Sequence, residues 1–312
     1  MTLNVSQSKI IIAGGTGFLG QLLAQSFLSD GYDVILLSRC KSDEPTIGRV
    51  VFWDAENLDD WANELNGAGL LINLTGKSID CRHTKKNKEL ILKSRILSTR
   101  ILGEAITLSK HPPRMWLNAS SMALYGQCLD QNPAHDENSP IISAGFLEEV
   151  TCSWEDEFFK FSVEGVRQIA LRISFILGHA SGAFPFLKKL TRMGLGGTQG
   201  HGTQWMSWLH QDDWVSILRF LVKNKNVSGA INLSAPNPVT NREFMQKLRE
   251  LEAPMGIGIP APSIGVKFGC AILGSASELA LESRKVVPKK LTDYGYRFLY
   301  PSLDEALRNL CH

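Results

Sequence analysis

The residues with the plainest chemical purpose in this chain are the glycines of Ile10-Ile11-Ile12-Ala13-Gly14-Gly15-Thr16-Gly17-Phe18-Leu19-Gly20. Gly15, Gly17 and Gly20 satisfy G-x-G-x-x-G, and Gly14, Gly17 and Gly20 satisfy G-x-x-G-x-x-G. An early glycine turns the chain sharply out of a strand, Gly17 lets the backbone approach a pyrophosphate, and Gly20 permits close helix–strand packing. The helix that follows offers free amides and partial positive charge to the phosphates. A glycine-rich turn without a ligand is the competing reading, but an apolar run before it and an amphipathic run after it favour a dinucleotide. Which dinucleotide depends on the end of the next strand, Leu37-Ser38-Arg39. NAD sites carry an acid there to hold the ribose 2′-hydroxyl. A guanidinium and a hydroxyl instead pair with a 2′-phosphate, so Ser38 and Arg39 point to NADP(H). The alternative for Arg39 is a solvated strand-end charge, and Asp33 cannot supply the missing acid because it begins the strand.

Such a cradle needs particular elements to hold it. Lys9–Ala13 reads as a buried strand, after which Leu19, Leu22, Leu23 and Phe27 recur at helical spacing until Asp30-Gly31 stops the helix. Asp33–Ser38, Val50–Trp53, Leu70–Leu74, Met115–Ser120 and Val166–Ile173 read as further strands, with helices over Lys86–Leu108 and Phe146–Phe161. Near-continuous apolar strands alternating with helices make a parallel sheet covered on both faces. The fold class is therefore α/β, a Rossmann-type doubly wound parallel sheet with a smaller mixed C-terminal substrate domain. The expected division is residues 1–180 and 181–312, with some later segments returning to the sheet. In the second part, Gly194–Gly202 is glycine-rich, and Trp205–Leu209 leads to Asp212-Asp213 as the expected start of a helix over Trp214–Val222. Thr240-Asn241-Arg242-Glu243 has the spacing of a reciprocal capping box.

Composition narrows the function classes. The 312 residues carry 33 Lys+Arg against 31 Asp+Glu, a net charge of +2, and are 44% hydrophobic. Disorder, a disulfide-stapled miniprotein and a basic nucleic-acid binder all need a different balance. The longest apolar runs are strand-sized, so no membrane span is expected. Met1–Ser8 has no charged region or cleavage signal, which leads to the expectation of a cytoplasmic protein with reduced thiols at Cys40, Cys81, Cys128, Cys152, Cys270 and Cys311. Cys81 and His83 lack a second nearby pair, so no metal site is expected.

Several segments together resemble a known family. Gly14–Gly20, Asn73-Leu74-Thr75-Gly76, Ser120-Ser121-Met122-Ala123-Leu124-Tyr125-Gly126 and His210-Gln211-Asp212-Asp213 are similar to the extended short-chain dehydrogenase/reductases. Ser94-Arg95, Gly194-Leu195-Gly196-Gly197, Gln204-Trp205-Met206-Ser207-Trp208 and Ala235–Asn241 resemble the atypical "epimerase family protein" subgroup, and Glu282–Leu291 resembles its C-terminal domain of unknown function. The resemblance implies NADP(H) in the Gly14–Gly20 cradle, with Ser38 and Arg39 at the adenosine phosphate. It also implies Asp54 at the adenine, Leu74, Thr75 and Gly76 against the cofactor, Arg95 reaching it from a helix, and the Ile176 backbone on the nicotinamide side. Arg95 could equally be a helix surface charge.

The parent family's proton chemistry uses Tyr-x-x-x-Lys, whose spacing sets both side chains on one helix face, where the lysine and the cofactor ribose lower the tyrosine's pKa from about 10. None of the five tyrosines here has a lysine four residues later, and the corresponding helix reads Gly145-Phe146-Leu147-Glu148-Glu149-Val150-Thr151. Ser121 and Tyr125 are the candidate substitutes, with strand-end capping and core packing as the alternative. Glu148 and Glu149 could act as a base or simply favour the helix dipole. His210 is expected to orient its loop, and Gly194–Trp208 to form either a substrate lid or an ordinary crossover. The expected partner is a small molecule, a carbonyl, alcohol or nucleotide-sugar-like compound; the faces of Lys86–Leu108 and Phe146–Phe161 could form a homodimer or equally be solvated. A non-catalytic NADP(H)-binding sensor is the alternative function.

Overall fold

The computed structural model of the chain describes residues 9–40, 47–128, 132–180, 182–253 and 256–311. The Met1–Ser8 start and the expected boundary at Ser181 lie outside the described residues. The chain runs β1 (Lys9–Ala13), α1 (Phe18–Ser29), β2 (Asp33–Ser38), β3 (Arg49–Phe52), β4 (Leu70–Asn73), α2 (Lys85–Leu108), β5 (Met115–Ser121), α3 (Phe146–Phe159) and β6 (Arg167–Ile173). It continues through β7 (Phe175–Leu177), α4 (Ala183–Arg192), β8 (Trp205–Met206), β9 (Trp208–His210), α5 (Gln211–Lys223), β10 (Gly229–Leu233), β11 (Val239–Thr240) and α6 (Asn241–Glu252). Helices α7 (Ser263–Leu273), α8 (Glu278–Leu281), α9 (Lys289–Asp293) and α10 (Leu303–Cys311) follow.

Seven strands form one parallel sheet in the order β10-β6-β5-β4-β1-β2-β3. Alternate residues of each strand serve opposite faces. Ile10, Ile12, Val34 and Leu36 pack with Leu23 and Phe27 of α1 and Trp214 and Leu218 of α5, while Ile11, Ile35, Leu37 and Leu71 pack with Leu102 and Ile106 of α2 and Phe158 of α3. Burial on both faces is why these strands lack polar alternation. The order reverses between β1 and β4, the point at which open α/β sheets leave a crevice beyond the strand ends.

The later part of the chain has its own core of Phe184, Trp208, Phe244, Leu248, Leu303 and Leu307. It is tied to the first part at several places: β10 pairs with β6, β9 pairs with β7, and α5 packs on α1. Thr240 and Glu243 form the capping box read from their spacing. The helix expected to start at Asp212-Asp213 starts one residue earlier, and its cap is His210, whose Nδ1 accepts from the Asp212 amide at 3.1 Å. Several strands shift by a residue at one or both ends, α2 is capped by Thr84 and so begins at Lys85, and α3 stops at Phe159. Among the described residues no helix is long and apolar enough to cross a membrane, and no group of three or more His, Cys, Asp or Glu is placed to hold a metal ion.

Candidate functional site

The glycine turn sits at the crevice between β1 and β4. Gly14 has φ +74°, a left-handed conformation that disfavours a side chain, and its Cα lies against the Leu74 and Thr75 backbone. A Cβ on Gly20 would lie 2.6 Å from the Gly15 Cα and carbonyl oxygen, so only glycine lets α1 enter this close. A Cβ on Gly17 would meet only the Gly14 carbonyl oxygen, at 3.5 Å, leaving its outer side open. Gly17 is the N-cap of α1, no side chain caps the helix, and its first turn holds no acid. Uncapped amides beside an open glycine suit an anion, and these residues fit a dinucleotide pyrophosphate. The ring of Phe18 lies over Gly178, just beyond β7.

Two other strand ends face the same crevice. At the end of β2, Ser38 is buried with its Oγ accepting from the Cys40 amide at 3.2 Å, and Arg39 is exposed with no carboxylate partner among the described residues. Asp54 is exposed and caps a turn, taking the Glu56 and Asn57 amides on Oδ1 and the Asn57 side chain on Oδ2. The Asn57 side-chain bond, with the two amides, holds its carboxyl below the ordinary range. One carboxylate lone pair of about four is left for a further donor.

Beyond β4, the buried Asn73 side chain accepts from the Thr75 amide at 3.1 Å and donates to Asn118 at 2.7 Å, which fixes the Leu74-Thr75-Gly76 segment. Gly76 lets the Arg95 guanidinium lie against the backbone. Arg95 donates to the carbonyls of Lys77 and Ile91 and sits 5.0 Å from the Trp154 ring, and burial lowers its pKa to about 10. No carboxylate pairs with it among the described residues. Ile176 is buried in β7, opposite Leu209 of β9.

At the end of β5 the two candidate substitutes part company. Ser121 Oγ accepts from the Ala123 amide at 3.1 Å and is half-buried, with no acceptor for its own proton among the described residues. Tyr125 is fully buried. Its hydroxyl donates to Asn232 at 2.9 Å and accepts from Arg172 at 2.7 Å, and burial raises its pKa. Its burial and its two hydroxyl partners favour the core-packing alternative for Tyr125 over proton donation. Arg172 in turn grips both oxygens of Glu155, at 2.9 and 2.8 Å, and Ser120 donates to Glu155 at 2.5 Å.

His210 is also buried. Since Nδ1 accepts from the Asp212 amide, Nε2 carries the proton to Asn309 Oδ1 at 3.1 Å. Burial pushes its pKa down to about 4. An unfolded histidine titrates near 6.5, so the unfolded chain binds the extra proton and stability falls as pH drops from about 6.5 towards 4. The loss is of the order of 3 kcal/mol. Urea titrations at several pH values should show it in the unmodified protein, and His210→Gln should flatten that part of the profile.

Residues from both halves of the chain, most of them from the second, enclose a cavity of about 530 Å³. Its walls include Gln127 and Cys128 after β5, His201, Thr203 and Gln204 from the Gly194–Trp208 loop, and Lys267, Glu278 and Glu282 from the C-terminal segment. The loop thus contributes wall residues, while its Trp208 is buried in the C-terminal core. Glu282 and Glu148 share one cation: Arg284 Nη2 donates to Glu148 at 3.0 Å and to Glu282, and Arg284 Nη1 donates to the carbonyls of Ala123 and Gly126 at 2.9 and 2.8 Å. Glu148 stands out in the sequence as a helix-start carboxylate, whereas Arg284 and the cavity do not. The available signal was two opposite charges at alternate positions of an extended segment, Glu282-Ser283-Arg284.

Residues 10–144 match the NAD dependent epimerase/dehydratase family, and residues 261–310 match a domain of unknown function. The epimerase family protein YfhF of Bacillus subtilis (strain 168) is 34% identical over 303 residues, covering 97% of this chain and 97% of its own. The chain belongs to the epimerase family proteins. Another member, the human epimerase family protein SDR39U1, is 31% identical over 306 residues, covering 97% of this chain and 99% of its own. A crystal structure of that human epimerase family protein (isoform 2) with NADPH superposes with a TM-score of 0.85 at 29% identity, covering 97% of this chain and 99% of that one. Epimerase family membership accounts for the fold and for the unusual C-terminal segment together.

Proposed function

We propose that the chain is an NADP(H)-binding oxidoreductase or epimerase-like enzyme acting on a small carbonyl or alcohol, or on a nucleotide-sugar-like compound, at the C-terminal edge of the sheet. The observation that carries this reading is the glycine cradle opening onto an uncapped helix, with Arg39, one strand away, having no carboxylate partner among the described residues. Bound there, the nicotinamide supplies a two-electron hydride donor or acceptor. The Gly14–Gly20 amides hold the pyrophosphate, Ser38 and Arg39 the 2′-phosphate, and Asp54 offers its spare lone pair to the adenine amino group. Leu74, Thr75 and Gly76 back the cofactor from β4, Arg95 adds positive charge, and the Ile176 backbone borders the nicotinamide. The Ser121 hydroxyl donates a hydrogen bond to an oxygen of the substrate.

Titrating NADPH and NADH by energy transfer from tryptophan tests the cofactor. The unmodified protein should prefer NADPH, and Arg39→Asp should weaken NADPH roughly 10- to 100-fold, the range of a lost charged hydrogen bond. Tighter NADH binding by the unmodified chain would overturn the assignment. A second reading, a non-catalytic NADP(H)-binding sensor, is favoured by the missing Tyr-x-x-x-Lys pair and by the burial of Tyr125. A carbonyl and sugar-nucleotide screen followed by nicotinamide absorbance separates the two. Turnover that disappears in Ser121→Ala excludes the sensor.

A further inference from the structure

We propose that Glu282 is the catalytic proton-transfer residue of the 530 Å³ cavity, with Arg284 and Glu148 as its positioning residues. The inference rests on the function proposed above and answers what that reading leaves open, the source of the substrate's proton once Tyr125 is sealed in the core.

Three observations converge on Glu282. It lines the cavity, whereas Glu148, tied to the same guanidinium, is almost fully covered: their side chains are 20% and 8% exposed. Arg284 is anchored by two backbone carbonyls, Ala123 and Gly126, in the turn that Ser121 begins, so the guanidinium locks this wall of the cavity to the end of β5. The charge count is also uneven, because one cation serves two carboxylates and Glu278 adds a third acid to the cavity wall. Lys267 and His201 are the cavity's other charged or titratable nitrogen groups, and neither forms an ion pair with Glu282 among the described residues. An excess carboxylate out of bulk water holds a proton more readily than a solvated one. Burial pushes the Glu282 pKa up, Arg284 draws it back, and Glu148 and Glu278 raise it further.

In the reducing direction Glu282 gives its carboxyl proton to the carbonyl oxygen while that carbon receives hydride from the reduced nicotinamide dinucleotide. The C=O π bond breaks, C–H and O–H bonds form, the substrate gains two electrons, and the dinucleotide is oxidised. In the oxidising direction the Glu282 carboxylate takes the hydroxyl proton and the hydride returns. Glu282 stands in the C-terminal segment, in the part of the chain matched to a domain of unknown function. That segment would then carry half of the proton–hydride chemistry.

The test uses the full chain loaded with NADPH and a panel of diacetyl, glyceraldehyde and a nitrobenzaldehyde as carbonyl probes. Glu282→Gln should lower turnover by about 100-fold or more, the usual contribution of a general acid. Its NADPH affinity, read by energy transfer from tryptophan, should stay within about twofold of the unmodified value. Reduction by the unmodified protein should slow as pH rises through the Glu282 titration, and that limb should vanish in Glu282→Gln. If this variant does not fold, Glu282→Asp serves, with a loss of at least about tenfold and a shifted limb expected. Unchanged turnover and an unchanged pH limb would overturn the proposal, as would failure of the NADPH-loaded unmodified protein to reduce any probe. Failure to bind NADPH at all would instead overturn the cofactor reading, and the binding titration tells these results apart.

Discussion

Glu155→Leu should lower the stability of this protein by about 3–5 kcal/mol, the usual consequence of leaving one member of a buried ion pair alone. The Arg172 and Glu155 side chains are 6% and 10% exposed and joined by two hydrogen bonds. Burial works against the guanidinium's charge, but the Glu155 carboxylate more than offsets it, so the arginine is held firmly cationic. Without Glu155 that charge would keep only the Tyr125 hydroxyl, and Ser120 would lose its acceptor. Urea unfolding should show the loss as a fall in midpoint at unchanged slope. Glu155→Gln, which keeps the shape and one acceptor oxygen, should cost clearly less. Equal losses for the two variants would mean that packing, and not charge, dominates at this position.

The second large effect is expected at Gly20. Its added Cβ would press on backbone atoms, which cannot rotate aside, so Gly20→Val must push α1 away from the glycine turn. Overpacking of this kind costs about 1–3 kcal/mol. The displaced amides should weaken NADPH by roughly 10- to 100-fold, since each 1.4 kcal/mol is a factor of ten. Gly17→Ala makes the informative comparison. Its Cβ has room in the protein but protrudes towards the place assigned to the pyrophosphate, so it should leave the melting temperature nearly unchanged while still weakening NADPH. A Gly17→Ala protein that binds NADPH normally would show that the phosphates do not approach this residue.

The parts legible in the sequence are those whose cause is local. The glycine turn, the capping box at Thr240 and the strands from Lys9 to Ile173 each follow from neighbours a few residues away, and Arg39 announces itself by standing where an acid would otherwise be. The roles that the sequence leaves open answer to distant partners. The sequence leaves Tyr125 open between a site role and the core because nothing near it reveals Arg172, 47 residues on, or Asn232, 107 residues on. His210 could displace Asp212 as the helix cap because Asn309, 99 residues later, takes its second ring nitrogen. The cavity draws its walls from both halves of the chain, so no single segment announces it.

The return of β10 to the side of β6 sets a problem for the chain as it is made. Roughly 60 residues separate the ends of these strands, and at about 5–20 residues per second the ribosome needs several seconds to deliver them. During that interval a nascent chain that has already assembled six strands presents β6 as a bare, apolar edge, open to pairing with a neighbouring chain. Slow codons between positions 173 and 233 would lengthen the exposure, and a chaperone acting on this protein would have the most to shield before β10 arrives.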